Sequence, residues 1–324
     1  MKLLITGGAG FIGSNLARYV TSHVPGAEVR VIDDLSTGRL DNLDGVDVRF
    51  IEASILDGDA LNEAVSGVDS VVHLAALGSV PRSVAAPLPS HHANATGTLH
   101  VLEASRLAGV EHVVVASSSS VYGSNTKLPK SEFDWTRPMS PYAVTKHATE
   151  GYTIAYNYSY GMSTLAFRFF NVFGPYQAAD HVYAAVIPKF LDAALNGRPL
   201  TVHGDGLQSR DFTYVETVCS ALLDAVQRRV SSFDPVNLAF GTSTPLLRVI
   251  DLMQEHLGID IAVEHVEPRV GDVRASQADG IRIRELFPDV KPTDFETALG
   301  QTIDWYRERH EAAASGRDRA SSGA

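Results

Sequence analysis

The chain has a single cysteine, Cys219, so no intrachain disulfide can form. It falls in a stretch with apolar residues at helical spacing, Tyr214 to Leu223, and is expected to be a buried, inert thiol. No apolar run approaches the ~18 residues that a membrane-spanning helix needs. Positive charge is scarce: 27 Lys and Arg stand against 38 Asp and Glu, a net charge of −11, which argues against nonspecific binding to nucleic acid or to an anionic membrane. Metal-ligand spacing is lacking too, because His91-His92 and His181 have no suitably placed Cys or acid, and no metal is expected. There is no internal repeat. The opening Met1-Lys2-Leu3-Leu4-Ile5-Thr6 is too short an apolar run for a signal peptide and reads as a strand, which points to the cytoplasm. With 324 residues, 44% of them hydrophobic, the chain can bury a core without staples and has room for one large or two modest domains.

What is present begins at that strand. It runs into Gly7-Gly8-Ala9-Gly10-Phe11-Ile12-Gly13, followed by a helical pattern with Leu16, Ala17 and Val20 on one face. Gly8, Gly10 and Gly13 fit G-x-G-x-x-G, and Gly7, Gly10 and Gly13 fit G-x-x-G-x-x-G. Glycines here permit a tight turn, close approach of backbone to a pyrophosphate, and contact of helix with strand, while the helix N-terminus faces the phosphates. A second strand, Glu28 to Ile32, ends at Asp33-Asp34, about 20 residues past the last glycine, where a ribose-binding acid is expected. A carboxylate there accepts hydrogen bonds from ribose hydroxyls and repels a 2′-phosphate, so NAD is favoured over NADP.

Further strand-like runs, Val48–Ile51, Ser70–Leu74, His112–Ala116, Ser163–Arg168 and Val236–Phe240, alternate with helical patterns near 58–66, 94–108, 142–159 and 213–228. This alternation predicts an α/β fold with a doubly wound parallel Rossmann sheet, ligands sitting at the carboxyl ends of its strands. Ala75-Ala76, Ser117 to Ser120 and Phe169-Phe170-Asn171 follow strands directly and are expected to line one crevice. Residues 1–171 read as the nucleotide-binding domain, with a returning segment near 212–240. Residues 172–211 and 241–310, where loops carry Pro175, Pro188, Pro199, Pro245 and Pro268, read as a smaller substrate-binding region. The small, polar tail 311–324 is expected to be disordered.

Tyr142 and Lys146 lie four apart and share a helix face. A lysine ammonium near a phenol favours the phenolate and lowers its pKa from about 10 toward neutrality, giving a general base for a substrate hydroxyl.

These residues together resemble an extended short-chain dehydrogenase/reductase, and more closely a UDP-hexose 4-epimerase, over about residues 2–308. The marks are Thr6 to Gly13, Asp33 to Gly38, His73-Leu74-Ala75-Ala76, Ser118-Ser119-Ser120-Val121-Tyr122-Gly123, Tyr142 with Lys146, Arg168 to Pro175, Arg210-Asp211-Phe212 and Arg269-Val270-Gly271-Asp272. The resemblance implies that Tyr142 takes the proton of the sugar 4-hydroxyl while C4 is oxidised by tightly held NAD. The 4-keto sugar then turns over and is reduced on its other face. Lys146 would hold nicotinamide ribose, and Ser118 and Ser120 would hydrogen-bond O4 and Tyr142. It implies a cofactor site of Gly7, Gly10, Phe11, Ile12, Gly13, Asp33, Asp34, Ser36, Gly38, Ser54, Ile55, Ala75, Ala76, Asn94, Ser117, Tyr142 and Lys146. For the substrate it implies Gly78, Ser79, Ser118, Ser119, Ser120, Asn171, Gln177, Ala185, Val186, His203, Arg210, Arg269, Asp272 and Ser276, with Arg210 and Arg269 on the diphosphate and Asp272 either a ribose contact or a turn residue.

Sugar-nucleotide 4,6-dehydratases carry an Asp-Glu pair where this chain has Ser119 and Ser120, and serines cannot act as acid and base near pH 7. A carboxylate-bearing sugar has no obvious partner, since Ala178 and Ala179 stand where such enzymes often place Arg. Ser276, at the family's gate position, is small enough to admit an N-acetyl group. The resemblance thus implies a UDP-GlcNAc/UDP-GalNAc epimerase that could also take UDP-Glc/UDP-Gal, acting as a homodimer. The alternatives are a UDP-glucose/galactose-only enzyme, another NAD-dependent sugar-nucleotide oxidoreductase or dehydratase, and a non-catalytic nucleotide-binding regulator. Two departures from the pattern concern the cofactor. Ser54-Ile55 replaces an adenine-binding Asp-Ile, with the acid displaced to Asp57, and Phe169 replaces a frequent Tyr.

Overall fold

Leu3, Leu4 and Ile5 are adjacent and apolar, so both faces of their strand must be covered, a demand met by a parallel sheet between two helical layers. The computed structural model describes residues 1–179, 184–268 and 274–321. The segment is β1 (Lys2–Thr6) of a seven-stranded sheet with β2 (Glu28–Asp33), β3 (Arg49–Glu52), β4 (Ser70–His73), β5 (His112–Ser118), β6 (Ser163–Phe169) and β7 (Val236–Leu238). Every pairing is parallel and the order is β7-β6-β5-β4-β1-β2-β3. The chain winds outward from β1 to β3, then returns beside β1 with β4 and winds the other way. The switch point between β1 and β4 is where a doubly wound sheet opens a crevice.

The two-residue period of the strands sorts their side chains between two cores. Leu3, Ile5, Val31, Val72, Val114 and Phe167 pack with Leu16, Ala17 and Val20 of the helix Phe11–His23 and with Val218 and Leu222 of the helix Val215–Arg228. Leu4, Ile32, Val71, Val113 and Val115 pack on the opposite face with Leu61 and Val65 of the helix Gly58–Val65, Val101 and Leu102 of the helix Gly97–Leu107, and Tyr156 of the helix Pro141–Tyr160. Cys219 is fully buried in the first core, and burial pushes its thiol pKa far up, so it is inert.

Past Val172 the elements are short. Val172–Phe173 pairs with Thr213–Tyr214, Leu200–His203 with Val263–Val266, and Ser209–Arg210 sits between Thr244–Pro245 and Ala275–Ser276. The last helix runs Phe295–Ser321, past the point where composition predicts order to end. Ala312, Ala313 and Ala314 are the strongest of helix formers and extend a helix already nucleated by packing. No helix among the described residues is long and apolar enough to cross a membrane, and no group of metal-ligating side chains occurs among them.

Candidate active site

The glycine turn is shaped by three contacts that exclude a side chain. Gly7 has φ +70°, and a Cβ there would lie 2.7 Å from the Ala75 backbone nitrogen. At Gly13 it would lie 2.3 Å from the Gly7 carbonyl oxygen, so the helix sits directly on the turn. At Gly8 it would lie 2.5 Å from Val31, on the core side. Gly10 meets only the Gly7 carbonyl oxygen, at 3.2 Å, and lines the cavity. No side chain caps the helix that starts at Phe11, so its first amides are available to an anion.

Asp33 ends β2 beside this turn. Its Oδ2 accepts from the Ala9 amide and its Oδ1 from the Leu35 amide, both at 2.9 Å. Burial raises its pKa, and the amides work against that rise. Asp34 and Ser36 also line the cavity, with the Ser36 amide donating to Asp34 Oδ1. Gly38 does not line it. A Cβ there would lie 2.8 Å from Asp33 Oδ1, so Gly38 serves by leaving Asp33 room. Beyond β3, Ser54 and Ile55 line the cavity, while Asp57 caps the helix Gly58–Val65 by accepting from the Asp59 and Ala60 amides. The displaced acid is thus a helix cap.

The cavity, ≈ 740 Å³, runs from this turn past Ala75, Ala76, Gly78 and Ser79 to Ser117, Ser118, Tyr142 and Lys146. Tyr142 is held on the first turn of the helix Pro141–Tyr160, where Pro141 presets the backbone and Ser140 caps by accepting from the Ala143 amide. A second cavity, ≈ 700 Å³, is lined by Ala185, Val186, His203 and Arg210. Asn171, Val172, Gln177 and Ala185 line both. Asn171 Nδ2 donates to the Asp211 carbonyl, and Gln177 Nε2 to the Val172 carbonyl. Gln177 Oε1 is buried with no hydrogen-bond partner among the described residues.

The charge arrangement differs from expectation. Lys146 Nζ donates to the Ala116 carbonyl at 2.8 Å. Burial pushes the Tyr142 pKa up, and the one opposing influence is the neighbouring Ser118 hydroxyl. The expected lowering by Lys146 is absent: its ammonium is given to the Ala116 carbonyl, and burial pulls its own pKa down to about 8. Asn94 is not on the cavity wall. Its Oδ1 accepts from the Leu77 amide and its Nδ2 donates to Thr145 Oγ1, so its side chain braces the wall from behind. Ser119 and Ser120 belong to a 3₁₀ turn capped by Ser118 and do not line either cavity, although Ser120 Oγ is buried without a partner. Ser276 pairs in register with Arg210 and its carbonyl accepts from the Asp211 amide, but it lines neither cavity. Arg269 and Asp272 lie outside the described residues. Sequence reasoning passed over Arg39, Arg82, His92 and Tyr176, which line the first cavity, and Lys189, which lines the second. Arg82 had a legible signal: Ser79-Val80-Pro81 is a cap serine followed by an early proline, which sets Arg82 in a first helical turn.

A switch-point crevice with a glycine turn, an acid ending β2 and a helix carrying Tyr142 and Lys146 defines an enzyme of the extended short-chain dehydrogenase/reductase class. The chain belongs to the NAD dependent epimerase/dehydratase family, whose model matches residues 3–239. It is 34% identical over 315 residues to a UDP-glucose 4-epimerase of Mycolicibacterium smegmatis, covering 95% of this chain and 99% of that one. A dTDP-glucose 4,6-dehydratase of Mycobacterium tuberculosis is 32% identical over 328 residues, covering 95% and 94%. Among solved structures, a UDP-N-acetylglucosamine 4-epimerase from Methanobrevibacter ruminantium M1, in complex with UDP-N-acetylmuramic acid, superposes with a TM-score of 0.88 at 37% identity, covering 95% and 98%. NAD is the family's cofactor, and the chain fits it. The open Gly10, the uncapped helix start and the buried Asp33 provide for pyrophosphate and ribose.

Proposed function

We propose that the protein is an NAD-dependent UDP-sugar 4-epimerase, acting on UDP-GlcNAc/UDP-GalNAc and also on UDP-Glc/UDP-Gal. The observation that carries this reading is that Tyr142 and Ser118, at the end of β5, line one cavity, and that Ser118 is followed by Ser119 and Ser120 and no carboxylic acid. A dehydratase must move a carbon-bound proton and a leaving hydroxyl, and serine hydroxyls lack the acidity and basicity for it. An epimerase needs one reversible proton transfer at O4.

The Gly7–Gly13 turn and the helix start would hold the pyrophosphate of NAD, Asp33 a ribose, and Lys146 the nicotinamide ribose. NAD supplies reversible two-electron oxidation at C4. Tyr142 takes the O4 proton and later returns it, and Ser118 orients O4 and stabilises the phenolate by hydrogen bonding. Burial keeps the phenol protonated in the free protein, so the phenolate depends on Ser118, Lys146 and the positive charge of oxidised NAD. Arg210 and His203 in the second cavity suit an anionic diphosphate, and the small Ala185 leaves room for the turning sugar. Exposed Val144, Tyr152 and Tyr158 give a homodimer an apolar helix face to pair through, which light scattering would measure.

The test is to incubate purified protein with UDP-GlcNAc and, separately, with UDP-glucose, adding no cofactor, and to follow the C4 epimer by proton NMR. Both should convert. Failure of both would overturn the epimerase reading, and conversion of UDP-glucose alone would overturn the N-acetyl part.

A further inference from the structure

One helical turn beyond Lys146 lies Glu150, a carboxylate that is 3% exposed and that neither the cofactor site nor the proton transfer uses. Its environment is built. Arg168, from β6 and 4% exposed, donates to it with two nitrogens, Nε to Oε1 at 2.8 Å and Nη2 to Oε2 at 2.9 Å. Ser117 Oγ donates to Oε1 at 2.5 Å. Arg168 is fixed from behind: Nη1 donates to the Tyr122 hydroxyl at 2.9 Å and to the Glu132 carbonyl, and the Tyr122 hydroxyl donates to Asn237 Oδ1 at 2.7 Å. A buried ion pair is a poor way to stabilise a fold, because desolvation offsets the attraction, and apolar residues of the same volume often do as well. Its place needs another reason.

The spacing supplies one. Tyr142, Lys146 and Glu150 fall at i, i+4 and i+8, one above another on a single face of the helix. Ser117, which Glu150 grips, precedes Ser118, which lines the cavity with Tyr142. We infer that Glu150 is a positioning residue: its carboxylate, fixed by Arg168, holds the Lys146 ammonium charged and in place, and through Ser117 it anchors the end of β5 that carries Ser118. Glu150 touches neither substrate nor cofactor and acts only through these neighbours. Burial works against the charged lysine, and Glu150 is the group that works for it. The titratable and charged groups around this pair are Tyr142 and His147 on the same helix, with His147 Nδ1 3.9 Å from Glu150 Oε2, His73 from β4 and Arg168 from β6. What Lys146 does once charged rests on the epimerase reading; that Glu150 keeps it charged does not.

The test titrates the lysine itself. The chain has six lysines, so protein carrying ¹³C at the lysine ε-carbons gives few resonances, and Lys146→Met identifies the one wanted. An opposite charge within about 4–6 Å moves a pKa by about 1–3 units. Arg168 shares this carboxylate, so Glu150→Gln should lower the Lys146 midpoint by about one pH unit. The alkaline limb of C4 conversion should move down with it. Tyr122→Phe, which loosens Arg168 without removing a charge, should leave the midpoint where it is. An unmoved midpoint in Glu150→Gln, or an equal shift in Tyr122→Phe, overturns the inference. If Glu150→Gln does not fold, Glu150→Asp retracts the charge by one methylene and should lower the midpoint by a smaller amount; no change there overturns it as well. If neither UDP-sugar is converted, the epimerase reading fails while the lysine titration still decides this one.

Discussion

Replacing His73 should change how stability depends on pH, and the structure sets the size of the change. His73 is 3% exposed at the end of β4. Thr98 Oγ1 donates to the Asn94 carbonyl at 2.6 Å, so toward His73 Nε2, 3.1 Å away, it is an acceptor. Nε2 therefore carries the proton, and Nδ1 accepts from the Thr6 hydroxyl at 2.7 Å. A neutral ring is satisfied at both nitrogens; a second proton would face a donor. Burial, and then the Lys146 ammonium, pull the His73 pKa down to about 3. The unfolded chain takes up this proton below about pH 6.5, whereas the folded chain resists until about 3. The stability is thus fully present above about pH 6.5 and is lost as pH falls, at up to ~1.4 kcal/mol per unit, which amounts to about 2–3 kcal/mol by pH 4.5. His73→Gln keeps one amide donor and cannot ionise. It should be less stable than the parent by about 1–3 kcal/mol at pH 7.5. That deficit should close or reverse by pH 4.5. Urea unfolding followed by circular dichroism, at half-unit steps, gives the difference directly, and carboxylates titrating in the same range cancel because both proteins carry them. A deficit that stays constant from pH 7.5 to 4.5 would refute the reasoning.

Other expectations bear on the site. Tyr142→Phe should lower C4 conversion by about 10²–10⁴-fold while the purified protein keeps its NAD, measured by releasing and quantifying the cofactor. Gly13→Ala pushes a methyl to within 2.3 Å of the Gly7 carbonyl oxygen, so it should cost about 1–3 kcal/mol in thermal unfolding and empty the protein of NAD. Asp33→Asn removes the charge that repels a 2′-phosphate, so the preference for NAD over NADP in reloaded protein should narrow by about tenfold.

The parts of this molecule legible in its sequence are the local ones. The glycine turn, its helix and Asp33 fall within one strand-helix-strand unit, and spacing alone sets them in register. The sheet was legible because strands covered on both faces leave unbroken apolar runs. Residues whose role depends on distant partners were not legible. Asn94 is claimed by Leu77 and Thr145, a tie that no periodicity records. The rise in the Tyr142 pKa follows from burial at the carboxyl edge of the sheet, and the sequence shows spacing but not depth. Glu150 looks like one more acid on a helix until β6 brings Arg168 against it.

The loop Pro175–Ala178 is held from two sides. Asn15, on the helix that begins at the glycine turn, donates to the Pro175 carbonyl, and Arg18 of that helix lies 4.7 Å over the Tyr176 ring. From the last helix, Tyr306 donates to the Gln177 carbonyl, and the Trp305 ring centre sits 4.9 Å from that of Tyr176. A single joint therefore braces the helix that begins at the glycine turn and carries Gln177, which opens on both cavities. Any coupling between occupants of the two cavities would pass through this joint, and it would be reciprocal: whatever factor one occupant contributes to the affinity for the other, the other returns.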